Sequence, residues 1–187
     1  LLCQDSVPTA TSTKPANCVA APGSTASAVP SQILLTRDMA GKFLVLEETA
    51  TQASNNLDQN KQVKIYSASS TEIRSASMFD TDSTISGYRH LGEELVASVG
   101  AISGFPTPNP SIQWYSCTSA VTSKISLVGF GCTAISGATS TRFTLTSNEV
   151  DRYVTFSVAA TNSVSSATAV GLSGAAKVTQ SPTLINA

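Results

Sequence analysis

Apolar and polar positions alternate with a period of two along much of the second half of the chain. The clearest run is YVTFSVAAT (153–161), where Val154, Phe156 and Val158 fall on one side and hydroxyl side chains fall on the other. Such alternation, bounded by Gly, Pro, Asn and Ser, predicts antiparallel strands with one buried face. The same pattern predicts strands in EELVASVG (93–100), SIQWYS (111–116), SKISLVG (123–129), TRFTLTS (141–147) and ATAVGLS (167–173).

This succession of short strands predicts an all-β fold. Six or seven strands within about a hundred residues are typical of an antiparallel β-sandwich. The segment SNEVDRY (147–153) interrupts the alternation and predicts one helical turn before the next strand. The predicted core residues are Trp114, Phe143, Leu145, Val154, Phe156 and Val158.

The chain also resembles itself. The segment ILLTRDMAGKFLVLEETATQ (33–52) aligns with FTLTSNEVDRYVTFSVAATN (143–162) at an offset of 110 positions. The cysteines form two pairs with the same spacing of fifteen positions, Cys3 with Cys18 and Cys117 with Cys132. These pairs align at an offset of 114, which puts four extra residues into a Pro-, Gly- and Ser-rich loop of the first copy, where insertions are tolerated. Self-similarity of this kind predicts a tandem repeat.

The alignment predicts three segments. Residues 1–78 form a partial first repeat whose front strands are missing or supplied from elsewhere, because nothing in them corresponds to residues 83–114. Residues 79–178 form a complete repeat. Residues 179–187 form the first strand of a following repeat or a donor strand, since SPTLINA (181–187) weakly resembles the start of the complete repeat.

The complete repeat resembles a known family. ISGYRHLGEELVASVG, GFPTPNPSIQWYSC and DRYVTFSVAATN, with ISGAT and FTLT before the last of them, are similar to the immunoglobulin-like tandem repeats of large bacterial surface and secreted proteins. The resemblance covers residues 83–177, and residues 1–69 as a partial, diverged copy. It implies tandem immunoglobulin-like sandwiches. It does not imply one function, because unrelated proteins use such modules as spacers or for display.

Composition narrows the classes of function. Charged residues make up 12% of the chain, and the net charge is −1 without any basic block. A typical soluble domain is about 25% charged. Ser, Thr, Ala and Val fill the difference here, which is typical of β-structure. Binding to nucleic acid or to an anionic membrane therefore has little electrostatic support. No apolar run approaches the ~20 residues that cross a bilayer.

The four cysteines allow three disulfide connectivities. Their equal spacing within the repeat favours Cys3–Cys18 and Cys117–Cys132, and such bonds indicate an oxidising compartment. Chain entropy assigns a loop of this length roughly 3 kcal/mol of stabilisation. Zinc is the competing interpretation, but the chain has no CxxC, and its only histidine, His90, has no cysteine near it in sequence. The opening LLC also fits a lipidation motif at Cys3.

Two aromatic residues have competing interpretations. Trp114, the only tryptophan, is either a platform on which a ligand stacks or the core tryptophan of the third strand, and the resemblance favours the core. Tyr153, two positions after Asp151, resembles a tyrosine corner, with an ordinary half-exposed strand tyrosine as the alternative. The aligned residue of the first copy is Phe43, which has no hydroxyl group.

Candidate residues for catalysis or metal binding are few. His90 is a candidate general base, but no motif places a partner beside it, so a loop histidine is favoured. The acidic pairs at 47–48 and 93–94 are candidate carboxylates, yet neighbouring strand residues point to opposite faces. DTD (80–82) is too short to indicate a calcium loop. We therefore expect no enzyme, no catalytic residue, no metal and no cofactor in this chain.

The resemblance implies structural modules of an extracellular or cell-surface protein, acting as a stalk, fibre or filament subunit with a possible adhesive role. The expected partners are neighbouring repeats of the same protein and other copies through strand donation, without nucleic acid or a membrane span. The alternative is a glycan- or protein-binding immunoglobulin-like module, including decoration of a phage tail or capsid.

The partial first repeat leaves three alternatives open. Upstream residues of the same polypeptide cover its apolar face, strands of another copy cover it, or it closes by itself. Strand donation adds backbone hydrogen bonds to an open sheet edge, and donation from head to tail builds a filament. The predicted donor residues for that case are Val178, Pro182, Leu184 and Ile185.

Overall fold

The computed structural model describes residues 1–24, 32–51, 62–174 and 176–180. These residues form an all-β protein with several antiparallel sheets, and their only helices are two 3₁₀ helices of three residues each. The chain divides into two compact units, Leu1–Ser75 and Ala76–Ala187. In the described part, no helix combines the length and the apolar character that crossing a membrane requires.

The first unit contains two small antiparallel sheets. Its strands are β1 (Leu2–Cys3), β2 (Cys18–Val19), β3 (Phe43–Leu44), β4 (Glu47–Thr51) and β5 (Gln62–Tyr66). Strand β1 lies between β2 and β3, and β4 pairs with β5. A 3₁₀ helix, Arg37–Met39, precedes β3 and buries Met39. Met39 packs with Leu2, Ala21 and Ile73.

The described residues of the second unit form nine strands. They are β6 (Ser75–Phe79), β7 (Thr84–Ser86), β8 (Glu94–Ser98), β9 (Ile102–Phe105), β10 (Asn109–Cys117), β11 (Cys132–Ala134), β12 (Arg142–Thr144), β13 (Tyr153–Thr161) and β14 (Ser166–Val170). One sheet has the order β11-β10-β13-β14 and another the order β12-β8-β7, while β6 pairs with β9.

The two longest strands, β10 and β13, form the centre of the four-stranded sheet. They pair over nine residues, from Asn109 opposite Thr161 to Cys117 opposite Tyr153. Because side chains alternate between the faces of a strand, the predicted period of two puts Val154, Phe156 and Val158 on one buried face.

The main core of the second unit takes side chains from both larger sheets. Leu95 comes from β8, whereas Trp114 and Phe156 come from β10 and β13. The Trp114 ring centroid lies 5.4 Å from that of Phe156 and 5.6 Å from that of Phe143. Its buried indole nitrogen Nε1 donates to the carbonyl oxygen of Ser140 at 2.8 Å, so burial leaves no polar atom of the ring unpaired.

A 3₁₀ helix, Ser147–Glu149, lies before β13, within the segment where one helical turn is predicted. The Thr146 hydroxyl accepts a hydrogen bond from the backbone of Asn148, and the buried Glu149 carboxylate accepts from the Thr146 backbone at 3.0 Å. This reciprocal capping satisfies a carboxylate that burial would otherwise make costly.

Three details differ from the sequence-based predictions. The boundary between the units lies at Ser75–Ala76, a few residues before the predicted start at 79. The segment 123–129 forms no strand; it lies in the loop between β10 and β11. Thr179, at the start of the predicted third segment, belongs to the second unit, because it exchanges backbone hydrogen bonds with Arg89 and Leu91, each 2.9 Å long; residues 181–187 lie outside the described residues.

Candidate functional site

Each unit carries one disulfide between neighbouring antiparallel strands. Cys3 is bonded to Cys18 across β1 and β2, and Cys117 to Cys132 across β10 and β11. The Cα atoms of the two pairs are 4.1 Å and 3.9 Å apart. Both predicted pairings are therefore formed. With all four cysteines bonded, no thiolate remains for zinc, and the Cys3 sulfur is not available for lipidation.

The two disulfides occupy the same place in the strand ladders of their units. Residues that share such a place are called corresponding positions below. The corresponding cross-strand pairs are Cys3–Phe43 with Cys117–Tyr153, Leu2–Leu44 with Ser116–Val154, and Glu47–Tyr66 with Ser157–Val170. The first two sets follow the sequence offsets of 114 and 110, and the last adds β5, for which the sequence offers no clear alignment.

A short segment closes each unit in the same way. In the second unit, Asp151 donates to Val178 at 2.9 Å and Val178 donates to Arg152 at 2.8 Å, both through the backbone. Ile73 makes the equivalent pair of bonds with Gly41 and Lys42, at 2.8 Å and 2.9 Å. Asp151 has a φ of 62° and Gly41 a φ of 77°, so the backbone makes the same left-handed turn before both strands.

This arrangement corrects the prediction that Val178 is part of a free donor strand. Val178 is fully buried and packs in the main core of its own unit, beside Leu145 and Val154. The sequence-based interpretation missed this because a single buried valine in a polar stretch carries no periodic signal. The other predicted donor residues, Pro182, Leu184 and Ile185, lie outside the described residues.

A second hydrophobic cluster lies at the disulfide of each unit, on the sheet face that we call the outer face. In the first unit Cys3 and Cys18 pack with Val45 and Tyr66, and Val7 packs against them. The cluster of the second unit contains Cys117, Val121 and Val170, with Tyr115, Leu127, Phe130, Cys132 and Tyr153 against it. Val7 lies 114 positions before Val121, and Tyr66 corresponds to Val170, so the two clusters share these positions beside the disulfide.

Tyr153 belongs to this outer cluster. Its ring is half-buried, and the Lys177 ammonium lies 5.8 Å from the ring centroid. Among the described residues its hydroxyl makes no hydrogen bond, so the bond expected of a tyrosine corner is not seen there. Asp151, two residues before Tyr153, has the left-handed backbone conformation of the turn that precedes β13.

The opposite sheet face differs sharply between the units. In the first unit it carries the exposed side chains of Leu46 (61% exposed), Val63 (47%) and Ile65 (49%). Together with the exposed Leu35 (52%), which the sequence alignment matches to Leu145, we call these residues the inner face. The corresponding positions of three of them in the second unit are Leu145 (1% exposed), Phe156 (0%) and Ala169 (8%). A surface that the second unit buries is thus open in the first.

The missing cover explains a further local difference. Strand β12 forms in the second unit because it pairs with β8, for example Phe143 with Leu95. The corresponding residues 32–34 are described and form no strand. The described residues of the first unit contain no counterpart of β8, so residues 32–34 have no such ladder to join there.

The candidate residues for catalysis do not converge. His90 Nδ1 lies 2.7 Å from the Thr179 hydroxyl in an exposed bridge. Glu47 is paired with Lys64 at 2.6 Å, and Glu94 is paired with Arg142. Within the described ranges, no three His, Cys, Asp or Glu residues cluster as metal ligands.

Two other surfaces of the second unit are candidate binding sites. A cleft of about 360 Å³ in the second unit lies between Phe79–Ser83 and Thr168–Val170, and the Lys124–Asp82 ion pair lies on it. Tyr88, 75% exposed, is the one aromatic side chain in the described part that is largely open to solvent. A lone ring is a poor platform for stacking a sugar, so neither surface matches the inner face in apolar extent.

Comparison of the chain with protein-family models, with curated proteins and with solved structures finds no match.

Proposed function

We propose that the chain consists of immunoglobulin-like repeat modules of an extracellular surface protein, which act as a stalk, fibre or filament subunit. The observation that carries this proposal is the shared ladder register of the two units, which includes the disulfide, the outer cluster and the closing strand. Units that repeat a ladder so closely are typical of modular arrays, in which each module contacts its neighbours.

The strand order of the second unit supports the immunoglobulin-like assignment. An order of β11-β10-β13-β14 in one sheet and β12-β8-β7 in the other corresponds to C′CFG and EBA of that fold. Trp114 on β10 then occupies the place of the core tryptophan of strand C. The disulfide differs, because it joins neighbouring strands rather than the two sheets.

The chemistry of the units supports an extracellular role. Disulfides persist in oxidising compartments. A bond that closes a fifteen-residue separation stabilises by roughly 3 kcal/mol, and it also limits how far a unit extends if it is pulled open. A module that transmits tension between a cell and a distant domain benefits from both effects.

Single-molecule stretching of the oxidised and reduced chain tests this role. We expect a distinct unfolding peak for the second unit, and a gain of roughly 5 nm in its contour length on reduction, because the residues behind Cys117–Cys132 then extend at about 3.6 Å each. Opening without a force peak would contradict a load-bearing role. Thiol trapping in the producing cells tests the location, and free thiols there would contradict it.

A further inference from the structure

The inner face of the first unit has a defined cover in the second unit. There, Leu145 exchanges backbone hydrogen bonds of 2.9 Å with Gly92 and Glu93 at the start of β8. Phe156 packs against Trp114 and Leu95. The cover is therefore the segment that includes β7, β8 and β10 up to Trp114, and we call it the front-half segment.

The first unit presents the matching surface without that cover. Isolated exposed apolar side chains are normal, but several on one face indicate an interaction site. Lys64 and Glu47 pair on the other side of this sheet, where Val45 and Tyr66 are buried. The exposed side chains of Leu46, Val63 and Ile65 thus lie on the face that the second unit covers.

No described segment of this chain is free to act as the cover. Strands β7 and β8 contribute Ile85, Leu95 and Ala97 to the core of their own unit. Val178 is buried in the same core. Moving any of them onto a second copy would open a core that is already complete.

We propose that the inner face binds a front-half segment of another repeat of this type, one that lies outside residues 1–187 and carries the tryptophan pattern of residues 83–114. The segment pairs with residues 32–36 as β8 pairs with β12, and it places its tryptophan against Leu46. Glu48 stands at the position of the buried Val158, so the segment leaves that end of the face open to solvent.

The geometry of β1 fixes the register of this segment. The Leu1 nitrogen donates to the Val45 carbonyl at 2.7 Å. Tyr115 faces Thr155 at the corresponding place in the second unit. A segment joined to Leu1 therefore places its last residue where Trp114 lies. This inference rests on the correspondence of the two units and is independent of the surface location proposed above.

The test joins a second copy of residues 76–114 to Leu1 of the full chain and follows backbone hydrogen exchange in β3, β4 and β5. Covering large apolar side chains stabilises a unit, so we expect exchange there to slow by roughly tenfold or more. Leu46→Lys should abolish the protection. Val19→Lys is the matched control, because Val19 on β2 is 64% exposed, lies outside residues 32–36 and corresponds to the exposed Thr133, and it should leave the protection intact.

Exchange that the added segment leaves unchanged, or that is indifferent to Leu46→Lys, would overturn the proposal. If the extended chain aggregates, the same readout on the unmodified chain mixed with a synthetic peptide of residues 83–114 decides between the same outcomes. Light scattering addresses the rival occupant. A dimer of the unmodified chain that Leu46→Lys dissolves would assign the face to a second copy and overturn the proposal, and a monomer would support it.

Discussion

The two units share one side of their sheets and differ on the other. On the outer face, the disulfides occupy corresponding positions, and so do Val7 and Val121, which pack beside them. On the inner face, Leu46 is 61% exposed where Phe156 is fully buried. The disulfide of the outer face joins residues only 15 positions apart in sequence, whereas the inner face needs a second sheet.

This difference separates local from long-range stabilisation. Each disulfide closes a loop with a sequence separation of 15, so it constrains its hairpin whether or not the rest of the unit is present. The main core of the second unit instead joins β8 to β13, which are far apart in sequence. The disulfide can therefore constrain its hairpin in a unit whose inner face is exposed.

The largest expected effect is at Trp114. Trp114→Ala removes the ring that packs between Phe143 and Phe156, and large-to-small changes of this kind cost about 3–5 kcal/mol. We expect the second unit to lose its cooperative thermal transition, while the first unit keeps its hydrogen-exchange pattern. Tyr88→Ala is the control on an exposed ring. A transition within a few degrees of wild type would show that Trp114 contributes little to the core.

A leucine pair compares the two inner faces directly. Leu145→Ala should destabilise the second unit by about 2–5 kcal/mol, because the side chain is buried. Leu35→Ala, at the corresponding position of the first unit, should change its stability by no more than about 0.5 kcal/mol. Denaturant unfolding followed by hydrogen exchange reports on each unit separately. Equal losses at the two positions would mean that the face of the first unit is already covered in solution.

Removing the disulfides should affect the units alike, in contrast to the leucine pair. Replacing Cys3 and Cys18 by Ala, or Cys117 and Cys132 by Ala, removes a cross-link of the same separation, for which chain entropy predicts roughly 3 kcal/mol. We expect similar shifts in the midpoint of urea unfolding of each unit. A much larger loss in the first unit would indicate that its disulfide replaces the stabilisation that its inner face lacks.

Much of the second unit could be predicted from sequence because its signals are periodic or paired. The alternation in 153–161 gives β13 and its buried face, and the spacing of Cys117 and Cys132 gives their bond. The strand predicted at 123–129 was wrong, since Ile125 and Val128 in that run are exposed in a loop. Apolar residues alone do not form a strand without a neighbouring strand to pair with.

In the first unit, less of the structure could be predicted from the sequence. The alignment predicts that front strands are missing from this unit or supplied from elsewhere, but it does not predict which side chains are exposed, because β5 lies beyond the aligned region. The register of β5 with β4 places Val63 and Ile65 on the inner face. A one-residue slip would have put both on the outer face, and sequence alone does not fix that register.

The smallest expected effect concerns an ion pair that only the first unit has. Lys64 donates to Glu47 at 2.6 Å, and this hydrogen bond holds the pKa of Glu47 below its ordinary value of 4.5. Because the folded pKa is lowered, the pair contributes stability above pH 4.5 and loses it as the pH falls through that value towards the folded pKa. The corresponding residues Ser157 and Thr168 carry no charge, so this contribution to acid sensitivity belongs to the first unit.

NMR titration of Glu47 should show the lowered pKa in the wild type and its return towards 4.5 in Lys64→Met, and the melting temperatures of the two proteins should converge in acid. Because the pair lies at the protein surface, the effect should also shrink in high salt. A Glu47 pKa that is the same in both proteins would show that the pair does not persist in solution.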